Sequence, residues 1–403
     1  MNQGLSLQEQ IEYLTDGVDT VLPEDVLRER LAEGRPLRVK LGVDPTAPDV
    51  TLGWAVVFRQ LRKFQELGHT AVLIVGDFTA QVGDPSERAE TRKRLDASEV
   101  EGYVFGVTDT IRRLLLEENL EIRYNSEWLG TMSMSDVLDL TSKFTISRIM
   151  DREDFAKRWA TNQPISFVEF MYPLLQAMDS VAVEADIEIG GSDQLFNLLV
   201  GRDLQERSGQ TGQLVMTVPL LVGTDGKRKM SQSLGNYISV NDSPEEMFGK
   251  TMSIPDEAII EWFALAAGYS EKAVEKIDVG LRTGDLHPGD TKRLLGREII
   301  TLYHREKEAH TAEASFDRIF RQHETPEEID EFYLTEPDST LVAVLAESEI
   351  VSSRSEARRL IRQGAVRIDG NSVIDERMTI SGLGDVVVQV GKRRFIRLRR
   401  EPK

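Results

Sequence analysis

Residues 39–58 read VKLGVDPTAPDVTLGWAVVF, and the change of character within that stretch decides the fold. Val39 to Val43 completes a strand-like run that starts at Leu37, and Leu52 opens a helical pattern that reaches Leu67. Between them lies a loop of Gly, Pro, Asp and Thr. The same order begins again at once, because Thr70 to Val75 is strand-like and runs into a second such loop. Further along, helical patterns alternate with another short apolar strand at Ile187 to Ile189. Strands alternating with helices predict an α/β fold with a doubly wound parallel sheet. Ligands of such sheets bind beyond the carboxyl ends of the strands, so the loops Gly42 to Trp54 and Gly76 to Arg92 are where a site is expected. Ordinary turn chemistry accounts for either loop alone, but not for the two together.

Composition narrows the chemistry. The 403 residues are enough for two to four domains and a substantial core. There is no cysteine, which removes disulfides, thiolate nucleophiles and thiolate-bound zinc and agrees with a reducing, cytoplasmic location. The five histidines are scattered, with no metal-site spacing and no support for chemistry built on a histidine base. Near the N-terminus Leu7, Ile11 and Leu14 lie in an acidic amphipathic pattern, so no secretory signal is expected. Asp77, Glu169 and Asp179 interrupt the longest apolar runs, so no membrane span is expected either.

The net charge of −19 is unevenly spread. Residues 351–403 hold 13 Lys and Arg against 6 Asp and Glu, net +7, which leaves 36 against 62, net −26, for the rest. A basic module on an acidic body suits a polyanionic partner, although a solvated charged tail would give the same balance. The pattern favours order. Leu341 to Ile374 reads as two short helices and a hairpin: Ser353 and Glu356 form a capping-box signature, Gly364 is placed to end the helix, and Asp369-Gly370-Asn371 is turn chemistry. Arg354, Arg358 and Arg362 recur every fourth residue as one basic stripe suited to a phosphate backbone. Val386 to Val388 and Arg393 to Arg400 read as strands. RNA binding is the expectation for this small α+β module.

In the predicted helix Phe167 to Val181, Tyr172, Gln176 and Asp179 fall at i, i+4 and i+7 and share one face. Met171, Leu174, Leu175 and Met178 make the helix mostly buried. A buried carboxylate costs several kcal/mol unless it is paired, so something polar must meet that row. It is either a ligand or another polar element of the protein.

The stretch quoted above, together with FQELGHTAVLIVGDFTAQVGDPSERAETR, YNSEWLG, EFMYPLLQAMDS, IGGSDQLFNLLVGR and KRKMSQSLGNY, is similar to bacterial tyrosyl-tRNA synthetases of class I, in the order that family uses. SSRSEARRLIRQGAVRIDG resembles the small RNA-binding domain of ribosomal protein S-four. The resemblance covers nearly the whole chain. It implies a Rossmann-like nucleotide-binding catalytic domain over 1–225, a loop of the KMSKS type over 226–242, a helical anticodon-side domain over 243–335 and the S-four-like domain over 338–403. Ser243-Pro244-Glu245-Glu246 is a helix start, and Glu336-Pro337-Asp338 has linker chemistry.

The activity implied is that of an aminoacyl-tRNA ligase of translation: tyrosine is activated with ATP and passed to tRNA(Tyr). Magnesium accompanies the ATP, no cofactor is tightly bound, and the enzyme is a cytoplasmic homodimer. By the resemblance Asp179 takes the phenol, with Tyr172 and Gln176 on the ammonium. Thr79, Asp84 and Gln194 hold the ammonium and carboxylate side, and Lys40 belongs to the amino-acid pocket, where some relatives carry tyrosine. Asp44, Gly53, Gly191 and Asp193 meet ATP. Gly190-Gly191 independently suits close approach of backbone to a ligand.

The attacking carboxylate is already ionised, so the scarcity of histidine is no obstacle. What the step requires is in-line positioning and stabilisation of charge on the pyrophosphate. Thr46, Thr51, Trp54, Lys229, Ser231 and Gln232 are the candidates, with Arg88 and Arg92. Composition alone favours a solvated surface loop for the run Lys227-Arg228-Lys229, and the matching motifs reverse that preference. Two departures stand out. TLGW (Thr51 to Trp54) replaces the family's HIGH sequence and removes both imidazoles, and Gln232 in KMSQS replaces a lysine. They keep a second function class open, a synthetase-like RNA-binding or regulatory protein with impaired catalysis. An adenylyl-transferring enzyme acting on a small molecule would leave the basic module unexplained.

Overall fold

The computed structural model describes residues 4–85, 95–320, 330–334, 339–351, 353–380, 385–391 and 394–400. The chain forms two compact units, Met1–Ala309 and His310–Lys403.

The first unit is built on a six-stranded sheet. Its strands are β1 (Thr20–Leu22), β2 (Arg38–Val43), β3 (Thr70–Val75), β4 (Leu120–Tyr124), β5 (Ile187–Gly191) and β6 (Leu214–Val218). Their order in the sheet is β1-β6-β5-β2-β3-β4. Only β1 runs antiparallel to its neighbour; the rest pair in parallel. The chain winds one way from β2 through β3 to β4 and then returns to the other side of β2 with β5 and β6. The carboxyl ends of β2 and β5 therefore flank the switch point at which such sheets bind ligands. β5 and β6 are buried along their whole length, and β3 in all but its first residue, as strands covered on both faces must be.

The helix Leu52–Glu66 covers one face. Thr51 caps it, its hydroxyl oxygen accepting from the amide of Trp54 at 3.3 Å. Its apolar side buries Leu52, Val56, Leu61 and Phe64. Phe64 is fully buried, and truncating it to alanine costs about 3–5 kcal/mol. The helices Phe167–Ala182 and Leu195–Arg207 pack on each other, sharing a small core of Leu174, Ala177, Val200 and Leu204 with residues of the 130–155 segment. After Ser243, which caps its helix as its sequence predicts, the structure runs through the helices Pro244–Met252, Ile259–Leu265, Glu271–Thr283, Pro288–Tyr303 and Glu306–Phe320.

The second unit carries a five-stranded sheet of β7 (Asp330–Leu334), β8 (Val366–Ile368), β9 (Asn371–Val373), β10 (Val386–Val390) and β11 (Arg394–Arg400), in the order β7-β11-β10-β8-β9. β7 comes from the stretch that reads as helical in the sequence, and its Glu-Phe-Tyr-Leu run pairs with β11 in parallel instead. The helices Leu341–Glu347 and Arg354–Arg362 close the core over Leu345, Ile361, Val388 and Leu398. Most local signals of this segment appear as expected, although Glu356 reaches Arg394 at 3.4 Å and the capping box is met only by its Ser353 half. Ser353 caps the second helix and Gly364 ends it at φ +65°. Asp369 and Gly370 both have positive φ, as a two-residue type I′ hairpin requires. Residues 336–338, which have linker chemistry, lie outside the described residues.

Candidate active site

A cavity of about 160 Å³ opens at the carboxyl ends of β2, β3 and β5. A cavity of about 150 Å³ accepts a benzene ring, so an aromatic side chain fits this one. Gly42, in mid-strand on β2, has open space where a side chain would project, and Gly53 also lines the cavity. On Gly76 a Cβ would collide with Asp44 and Thr79, and on Gly191 with Leu220 and Asp193. The loops stay this close to the cavity because those positions have no side chain.

The helix Phe167–Ala182 supplies one wall. Tyr172, Gln176 and Asp179 all line it, as their spacing predicts. Asp179 is 3% exposed and sits among groups that donate to it: Trp128 Nε1 at 2.9 Å and Asn125 Nδ2 at 3.4 Å. Burial pushes its carboxyl up to about 7, against the opposing charge of Lys40 and the bonds from Trp128 and Asn125. Tyr172 donates its hydroxyl to Asp44 Oδ2 at 2.9 Å, and Thr79 donates to Asp44 Oδ1 at 2.7 Å. Asn125 Nδ2 also donates to Thr79 Oγ1 at 2.9 Å, so these residues form one hydrogen-bonded arc.

Asp84 accepts from Gln194 Nε2 at 2.7 Å and from Arg152 Nη2 at 3.1 Å. Asp84 and Gln194 both line the cavity. Lys229 reaches Asp193 Oδ2 at 2.7 Å, and both line the cavity together with Thr46, Trp54 and Gly191.

Four predicted residues do not line the cavity. Lys40 is fully buried behind it, and its three ammonium hydrogens go to Glu188 Oε1 at 2.8 Å, Ser180 Oγ at 2.9 Å and the Gln176 carbonyl at 3.0 Å. Thr51 is the buried helix cap described above. Ser231 donates its amide to Asn236 Oδ1 at 2.9 Å, with its hydroxyl 2.9 Å from that of Ser233. Gln232 donates to the Asp49 carbonyl at 2.6 Å, and Tyr237 donates to the Asp49 carboxylate at 2.8 Å, which pins the KMSQS loop to the loop after β2. Arg88 and Arg92 lie outside the described residues.

Asn125, Trp128, Arg152, Glu188 and Asn197 carry no signal that singles them out in the sequence. Asn125 and Trp128 fall inside the YNSEWLG motif, but nothing in its spacing tells which of its side chains reach Asp179. In the second unit Arg354, Arg358 and Arg362 are all exposed on one helix. Arg354 pairs with Glu347 at 3.2 Å and Arg362 pairs with Glu376, whereas Arg358 makes no ion pair among the described residues.

Residues 32–321 match the family of class I tRNA synthetases for tryptophan and tyrosine, and residues 340–387 match the S4 domain. The chain is similar to the tyrosine–tRNA ligase of Moorella thermoacetica, at 45% identity over 393 residues that cover 96% of this chain and 95% of that protein. It is similar to the tyrosine–tRNA ligase of Thermotoga maritima at 46% identity over 391 residues, 97% of each. Among solved structures, the tyrosyl-tRNA synthetase of Archaeoglobus fulgidus complexed with L-tyrosine shares the fold, with a TM-score of 0.63 at 24% identity over 76% of this chain and 99% of that one. With a ligand cavity at the switch point of the sheet and near full-length likeness to these enzymes, the chain belongs to the class I tRNA synthetases of the tryptophan and tyrosine type, among the bacterial tyrosyl-tRNA synthetases.

Proposed function

We propose that this chain is a tyrosine–tRNA ligase, and the observation that carries the reading is the buried Asp179 carboxylate at the cavity wall. Held from one side by the indole N–H of Trp128 and by Asn125, it is an acceptor for which a phenol hydroxyl is the fitting donor. A phenylalanine ring would fill the same space and bring no donor to the acceptor sites of that carboxylate that Trp128 and Asn125 leave open.

On this reading Tyr172, Gln176 and Asp84 take the substrate ammonium, with Thr79 and Gln194 setting their positions. The tyrosine carboxylate oxygen attacks the α-phosphorus of ATP. The new bond makes tyrosyl-adenylate, and the bond to pyrophosphate breaks. Asp44, Gly53, Gly191 and Asp193 hold the nucleotide. Lys229 leaves Asp193 for the phosphates, where Thr46 and Trp54 assist and Thr51, Ser231 and Gln232 shape the loops around them. The 3′-terminal ribose hydroxyl of tRNA(Tyr) then attacks the tyrosyl carbonyl carbon and AMP leaves.

Magnesium belongs with the ATP phosphates as part of the substrate. The acidic side chains facing the cavity fit that role better than a resident metal site: Asp44, Asp84 and Asp193 each already accept hydrogen bonds from the protein. Where magnesium is bound it screens charge on the leaving pyrophosphate.

The basic helix Arg354–Arg362 takes the tRNA backbone, and the remaining parts are the helical anticodon-side domain and the S-four-like domain with the boundaries given above. The functional form is a homodimer in the cytoplasm. Met134, Leu138, Ile146, Trp159 and Phe167 are 63–75% exposed on consecutive helices of the 134–182 segment. Large apolar side chains left exposed on successive helices suit a surface for a partner, and a second copy of the chain is the partner proposed. No helix among the described residues is long and apolar enough to cross a membrane. Tyrosine-dependent exchange of pyrophosphate into ATP tests the activity.

A further inference from the structure

At the proposed amino-acid end of the cavity the carboxamides of Gln176, Asn197 and Gln194 form a relay anchored on two buried charges, Glu188 and Arg152. At one end Glu188, 1% exposed and facing Lys40 across the β2–β5 pairing, accepts from Gln176 Nε2 at 3.1 Å. An ionised carboxylate only accepts, so Gln176 must turn its NH₂ towards it. At the other end Arg152, 4% exposed and lying over the Phe155 ring at 5.2 Å, donates to Asn197 Oδ1 at 3.0 Å and to Asp84 Oδ1 at 3.1 Å. A guanidinium only donates, so Asn197 must turn its oxygen towards Arg152 and its NH₂ inward. That NH₂ donates to Gln176 Oε1 at 3.1 Å and to Gln194 Oε1 at 3.0 Å, and Gln194 Nε2 is thereby left to donate to Asp84 at 2.7 Å. Every amide in the chain has one permitted orientation.

We infer that Asn197 is a positioning residue for the amino-acid subsite: with its polarity set by Arg152, it holds Gln176 so that oxygen, not NH₂, faces the substrate ammonium, and holds Gln194 so that it orients Asp84. Asn197 is 1% exposed and does not line the cavity, so it acts through its neighbours. The inference deepens the proposed function, since it rests on Gln176 and Asp84 as ammonium ligands.

Asn197→Asp separates orientation from electrostatics because the two predict opposite signs. The substitution keeps the shape and the bond to Arg152. Its added negative charge favours a nearby cation, whereas its loss of both N–H donors turns an acceptor against the oxygens of Gln176 and Gln194. Two ligands are compared by equilibrium binding: tyrosine and 3-(4-hydroxyphenyl)propionate, which lacks the ammonium. The preference for tyrosine over the propionate is expected to fall about tenfold or more in Asn197→Asp. Propionate affinity and ATP affinity are expected to stay within about twofold. In Asn197→Leu, which cannot donate or accept, the preference is also expected to fall, by a smaller factor.

A preference that is unchanged or raised in both variants overturns the inference. So does an equal loss for both ligands, which would mean a purely structural role. A wild-type protein without any preference for tyrosine over the propionate would instead overturn the ammonium assignment itself, and the inference with it.

Discussion

Trp128 Nε1 donates to Asp179 Oδ1 at 2.9 Å, with the indole carried by the short helix Ser126–Leu129 after β4 and the carboxylate by the helix Phe167–Ala182. The bond fixes one carboxylate oxygen and, on the proposed function, directs where the substrate phenol binds. Asp179→Asn is expected to weaken tyrosine activation far more than ATP binding and to erode selectivity against phenylalanine. Tyrosyl-tRNA synthetases are the known example of such selectivity, rejecting phenylalanine by about 10⁴–10⁵, and that established magnitude is the reference against which the loss is judged. Trp128→Phe keeps an aromatic side chain, though a smaller one, and loses the donor, so a loss of about tenfold in tyrosine kcat/KM is expected. Equal losses for tyrosine and ATP in steady-state kinetics would contradict the pocket assignment.

Asp179 also sets a pH dependence. Burial raises its folded-state pKa from an ordinary aspartate value to about 7. The folded protein therefore holds a proton that the unfolded chain has lost between roughly pH 4 and 7, so this group's contribution to stability is full below that window and is lost as pH rises through it. Asp179→Asn, which cannot ionise, is expected to gain stability relative to the parent on going from pH 5 to pH 8 in urea titrations. A constant difference between the two proteins would contradict the assignment. Tyrosine affinity is expected to fall as pH drops below 7 and the acceptor becomes protonated.

Lys229 and Gln232 lie three residues apart in the KMSQS loop and occupy different places. Lys229 lines the cavity beside Asp193, whereas Gln232 is engaged with the Asp49 carbonyl. Lys229→Ala is expected to lower the rate of adenylate formation by about 10²–10³ with tyrosine affinity unchanged. Gln232→Ala is expected to act mainly through loop placement, raising the KM for ATP by less than about tenfold. Single-turnover kinetics distinguish these outcomes.

Arg358 is the one member of the basic stripe with no ion pair among the described residues, since Arg354 and Arg362 face Glu347 and Glu376. Arg358→Ala is expected to lower the salt slope of tRNA binding by about one and leave pyrophosphate exchange untouched. Substitution of Arg354 is expected to do less, because its charge is already partly offset. An unchanged slope for Arg358→Ala would remove this helix from the RNA contact.

Leu138 is 63% exposed and is one of the large apolar side chains left exposed along the 134–182 segment. Leu138→Glu is expected to convert a dimer into a monomer in sedimentation equilibrium without lowering the thermal midpoint of the monomer. A protein that is already monomeric before the substitution would contradict the proposed homodimer.

The parts of this fold that can be read in the sequence are those whose signal is local. The Leu37 to Val43 and Thr70 to Val75 runs form β2 and β3, and the i, i+4, i+7 row places Tyr172, Gln176 and Asp179 on one wall. The strand β1 is only three residues long and is fixed by pairing with β6 nearly 200 residues away, so it carries no pattern of its own. Trp128 and Asn125 gain their meaning only where β4 ends beside a helix some 50 residues downstream, as the arc from Asn125 to Thr79 and Asp179 illustrates. Lys40 is a different case: a lysine in an apolar strand draws notice, but only the register opposite Glu188 explains why it is fully buried. Thr51 likewise reads as part of a phosphate motif, while the structure uses its hydroxyl to cap a helix.

The central claim is tested most directly by ATP–pyrophosphate exchange on the purified full chain, with tyrosine, phenylalanine, tryptophan or no amino acid. The predicted result is exchange with tyrosine alone, which would mean that Thr51, Trp54 and Gln232 suffice in place of the usual histidines and lysine. Folded protein that binds tRNA but supports no exchange with any amino acid would contradict the catalytic reading and favour an RNA-binding or regulatory role.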